Sequence, residues 1–68
     1  MRNLTSRQRE VLDFLKARLT DGLMPTNAEV ATHFGFCVNA AHDHLLALHK
    51  KGYIEMIPRI ARGIRILR

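Results

Sequence analysis

Cysteine is nearly missing from this chain. Cys37 stands alone, so no internal disulfide can form and no thiolate-based zinc site can be assembled. Such sparing use fits a reducing compartment. Long apolar runs are missing too: none approaches the roughly 20 residues that a membrane span requires. The opening Met1-Arg2-Asn3-Leu4-Thr5-Ser6-Arg7-Gln8 has no apolar core of the kind that directs secretion. There is no internal repeat, no glycine-rich loop to cradle a phosphate, and no nucleophile with a base and an orienting partner. Four histidines invite a metal reading. His42 and His44 diverge on a helix, His42 and His49 lie two turns apart, and His33 belongs to another helix. The expectation is a soluble cytoplasmic protein that is not an enzyme, with no metal, no cofactor, no membrane contact and no small-molecule substrate.

What is present points elsewhere. Sixty-eight residues suffice for one domain, 1–68, and at this size folding buries only about 60% of the unfolded chain's surface. A 47% hydrophobic content with 25% charged residues is globular rather than disordered. Eleven Lys and Arg against six Asp and Glu leave a net charge of +5, the footprint expected of a polyanion partner.

Local signals divide the chain into helices followed by strands. Thr5 and Gln8 have the spacing of a capping box, with Leu4 before the cap as a hydrophobic staple. Val11, Leu12, Phe14, Leu15 and Leu19 then form the apolar face of a first helix, which Thr20-Asp21-Gly22 ends. Pro25 sets Met24 in an extended conformation, and Thr26 with Glu29 makes a second capping box. The short helix that follows turns Val30, Ala31 and Phe34 inward and stops at Gly35. After a tight turn, with Cys37 partly buried in it, a third helix starts near Asn39. Ala41, Leu45 and Leu48 are its buried stripe, and Lys50-Lys51-Gly52 its end. Tyr53–Ile57 and Gly63–Leu67 alternate with the two-residue period of strands, pairing Ile54 with Met56 and Ile64 with Ile66 on one face each. Pro58-Arg59-Ile60-Ala61-Arg62 is a five-residue hairpin connection. The fold class is mainly α with a small β hairpin: three helices plus a two-stranded antiparallel wing.

Two helices joined by a tight glycine-containing turn, the first shorter than the second, make a helix-turn-helix. The major groove of DNA admits one α-helix, and the preceding helix braces against the backbone. Asn39, Ala40, His42 and Asp43 lie off the buried stripe at the start of the third helix and are the candidate base readers. Asn suits adenine, Ala a thymine methyl, Asp the cytosine amino group, and His donates or accepts according to its tautomer. Each also has a plainer reading. Asn39 is a good helix cap, Ala40 is merely small, and His42 and Asp43 are ordinary surface residues. Arg59 and Arg62 in the wing either keep the hairpin soluble or meet phosphate or the minor groove. Ser6, Arg7, Thr26, Lys50 and Lys51 are candidates for the DNA backbone, although capping accounts for Thr26 and the helix dipole for the lysines. Leu46 lies off the stripe, either as a lone exposed leucine or as a protein-contact patch with His49 and Tyr53.

The stretches LTSRQREVLDFL, MPTNAEVATHFGF, NAAHDHLLALHKKGYIE and RGIRIL, taken in order, resemble the N-terminal DNA-binding domain of LexA-type SOS repressors. The resemblance implies a winged helix-turn-helix regulator of a bacterium or its phage, acting in the nucleoid or the host cytoplasm. It implies binding to double-stranded DNA at palindromic operators as a homodimer. Members of that family also carry a second domain that dimerises and cleaves itself, and this reading is of a regulator without that half. The departures cluster at the base-reading end. Pro25 stands where the family usually has two prolines, Cys37-Val38 replaces a Ser-Pro pair in a segment one residue shorter, and His42 and Asp43 replace two acidic residues. A retained scaffold with a changed operator follows. Two rivals accompany this reading: a protein-interaction module that docks on RNA polymerase or on a repressor, motivated by Leu46, and a nonspecific nucleic-acid binder.

Overall fold

The computed structural model describes residues 4–60 and 62–67. Two threonines fix where the first two helices begin. Thr5 Oγ1 accepts from the Gln8 amide at 3.1 Å and Gln8 Oε1 accepts from the Thr5 amide at 3.2 Å, which starts α1 (Ser6–Thr20). Thr26 and Glu29 repeat the exchange at 3.2 and 2.9 Å and start α2 (Asn27–Phe34). Each box satisfies two amides that the helix itself cannot pair. Gly35 ends α2 in the left-handed conformation, φ 75°, leaving the Phe36 amide to donate to the Ala31 carbonyl.

The third helix, α3 (Val38–Lys50), begins one residue earlier than the sequence suggests. Its cap is Cys37, whose side chain makes no capping hydrogen bond among the described residues. Cys37 is exposed rather than partly buried. The backbone turn after Gly35, not a favourable capping side chain, therefore sets where α3 starts. Asn39 is consequently inside the first turn and is not the cap.

The core lies where α3 meets α1, α2 and the hairpin. Val11, Leu12 and Leu15 of α1, Val30 and Ala31 of α2, Ala41, Leu45 and Leu48 of α3, and Ile54 are buried, with Leu4 packed on them as the expected staple. Phe14 and Phe34 are only half-buried. Leu19, expected on the buried face, is 49% exposed, because the last turn of α1 runs past the core.

Strands β1 (Ile54–Met56) and β2 (Ile64–Ile66) pair antiparallel, Ile54 opposite Ile66 and Met56 opposite Ile64. Two further bonds lengthen the ladder, Leu67 amide to Tyr53 carbonyl at 2.9 Å and Ile57 amide to Gly63 carbonyl at 2.6 Å. They leave 58–62 as the connection expected from the sequence, in which Ala61 lies outside the described residues. The four apolar strand side chains face the helices, and Glu55 and Arg65 pair across the other face at 3.3 Å. Three helices and a wing, in that order, make a winged helix-turn-helix.

Candidate nucleic-acid interface

Rotation of α3 about its axis is set by Ala41, Leu45 and Leu48, each fully buried. With that stripe inward, Asn39, His42 and Asp43 face solvent at spacings of three and four residues, along one outward strip of the helix. Ala40 is half-buried beside them, and Val38, in the first turn, is 52% exposed. Freed from capping, the Asn39 amide has both its donor and its acceptor available among the described residues.

A second helix start stands next to this strip. Asn27, the first residue of α2, directs its side-chain Nδ2 to His42 Nδ1 at 3.3 Å. The sequence reading missed Asn27, because its only local signal is to follow a cap, and 15 residues separate it from His42. Thr26, half-buried, spends its hydroxyl oxygen on the α2 cap. Ser6 is exposed at the start of α1. Its neighbour Arg7 pairs with Glu10 at 3.2 Å and sets its guanidinium 5.4 Å from the centre of the Phe36 ring, in the turn that leads into α3.

The basic residues differ in their commitments. Arg62 is a clamp: it gives Glu29 two hydrogen bonds, at 2.5 and 3.1 Å, and donates to the Met24 carbonyl at 3.1 Å. The Arg62 guanidinium, aided by the Thr26 amide, holds the Glu29 carboxyl below its ordinary pKa. The wing is thus pinned to the start of α2, and Arg62 serves that contact first. Arg59 is exposed at the connection, with φ 66°. Lys51 reaches from the end of α3 to Gln8 Oε1 at 2.6 Å, joining it to the α1 capping box. Lys50 is exposed on the last turn of α3.

Leu46 is half-buried, not exposed. Nearby, His49 Nδ1 lies 3.3 Å from the Ile54 carbonyl, which ties the end of α3 to β1. A docking patch built on a protruding leucine therefore loses its premise. Among the described residues no helix is long and apolar enough to cross a membrane, and no three His, Cys, Asp or Glu side chains gather to hold a metal.

The arrangement offers amide, imidazole and carboxylate groups on one helix tip, flanked by cations and by two capped helix starts. Known proteins are similar to this chain in sequence. A family profile described as the LexA DNA binding domain matches residues 1–63. LexA repressors of Haemophilus influenzae (strain ATCC 51907 / DSM 11121 / KW20 / Rd) and Aliivibrio fischeri (strain ES114) are 58% and 54% identical to the chain over 98% of its length. That of Colwellia psychrerythraea is 52% identical over the same share. The chain spans 33% of each of these three relatives. With the profile covering nearly all of it, the chain belongs to the LexA DNA-binding domain family.

Proposed function

We propose that this chain is the sequence-reading part of a transcriptional repressor, acting by occupying double-stranded DNA rather than by chemistry upon it. The tip of α3 enters the major groove, where Asn39 pairs bidentately with adenine, Asp43 accepts from a cytosine amino group, Ala40 meets a thymine methyl and His42 reads a further base edge. Ser6, Arg7, Lys50 and Arg59 line the flanking phosphates, and the proteins it is similar to are named as repressors. On a palindromic operator two copies bind as a pair, each on one half-site. The carrying observation is the burial of Ala41, Leu45 and Leu48, which leaves Asn39, His42 and Asp43 as the outward strip. Selection of binding sites from random duplexes tests it. Wild type should enrich a palindrome, and Asn39→Ala should weaken binding to it by about 1–3 kcal/mol while relaxing one base pair per half-site. Binding without any enriched sequence would instead favour a nonspecific binder.

A further inference from the structure

We infer that Asn27 is a positioning residue for base recognition: it holds the His42 ring in its Nε2–H form and so makes that ring a donor, selective for base edges that accept. The inference rests on the reading that α3 presents His42 to base edges. An amide Nδ2 can only donate, so the nitrogen it faces at 3.3 Å, His42 Nδ1, must offer its lone pair. A neutral imidazole then carries its proton on Nε2, on the ring edge away from Asn27. His49, on the same helix, is set the opposite way. Its Nδ1 faces the Ile54 carbonyl, which can only accept, so its proton sits on Nδ1.

Asn27 is well placed to impose this. It is the first residue of α2, directly after the Thr26 cap, and Glu29 two residues on is held by Arg62 from the wing. A helix start fixed at the cap and at the wing holds the Asn27 backbone beside His42, so the contact stands before DNA arrives. In the major groove guanine O6 and N7, thymine O4 and adenine N7 all accept, whereas cytosine presents only its amino group and would meet the Nε2–H donor to donor.

Two measurements test the inference on the intact chain. Long-range proton–nitrogen correlation spectra of the free protein should show His42 as Nε2–H and His49 as Nδ1–H. Asn27→Ala should leave His49 unchanged and turn His42 into a mixture. A wild-type His42 carrying its proton on Nδ1, or a tautomer indifferent to Asn27→Ala, overturns the inference. Site selection supplies the functional arm. The base preference lost in His42→Ala, worth roughly tenfold in the wild type, should be lost in Asn27→Ala as well, while the one owed to Asn39 is kept. If His42→Ala relaxes no position, the base-reading role of His42 fails. If it relaxes one that Asn27→Ala leaves intact, only the assignment to Asn27 fails.

Discussion

At Arg62 the guanidinium grips Glu29 through two hydrogen bonds, and the backbone sits in the left-handed region at φ 62°, an uncommon place for a side-chain-bearing residue. The contact spans 33 residues, which is why Arg62 reads from sequence as a free wing cation. The capping boxes, by contrast, close over three residues and were legible in full. Asn39 shows the limit of local rules: Asn is a preferred cap and Cys is not, yet the turn after Gly35 starts α3 at Val38 and releases Asn39 into the solvent-facing strip. The ion pair makes a pH prediction. Glu29 has a lowered pKa in the folded chain, so its contribution is present above the ordinary glutamate value of 4.5 and is lost as pH falls through the lower folded value. Thermal melts of wild type and Glu29→Gln from neutral to acid pH should therefore differ most near neutrality and converge in acid. Parallel curves at all pH values would contradict the clamp.

Helices and strands were readable because their signals are periodic: the α3 stripe at spacings of four and three, and the alternation that puts Ile54, Met56, Ile64 and Ile66 on one face. Side chains at the margins were not. Leu19 has the right spacing but outlasts the core, and half-buried Leu46 shows that a position off the stripe need not be exposed. The wing has its own constraint at Gly63. A Cβ there would stand 2.6 Å from the Ile57 carbonyl oxygen and 2.8 Å from that of Ile60, and the Gly63 carbonyl is the one that accepts from Ile57. Backbone on both sides cannot yield without opening the hairpin. Gly63→Ala should cost about 1–3 kcal/mol in denaturant unfolding. It should also weaken the cross-strand contacts at Met56–Ile64 while leaving the helical circular dichroism intact. An unchanged midpoint would show that the connection is looser than its geometry.

Charge and size act at the level of the molecule. The excess of five positive charges on a 68-residue chain suits phosphate neutralisation, with base contacts supplying selectivity on top. If one copy neutralises about five phosphates, log K should fall with log salt at a slope of about −4 to −5 per bound copy. A slope near zero in a binding titration would remove the phosphate contacts from the interface. The extents of 28 × 23 × 22 Å allow two copies to sit side by side on half-sites one helical turn, roughly 34 Å, apart. Which bases a third helix would meet was not legible in the sequence, and neither was the contact of Asn27 with His42, which spans 15 residues.

The most direct measurement is an amide chemical-shift titration of the labelled chain with the duplex obtained by selection. Insertion of the α3 tip predicts that the amides of Asn39, Ala40, His42 and Asp43 move most, with smaller changes at Ser6 and Arg7. Stationary amides at those four residues, with the changes gathered on another face, would contradict it.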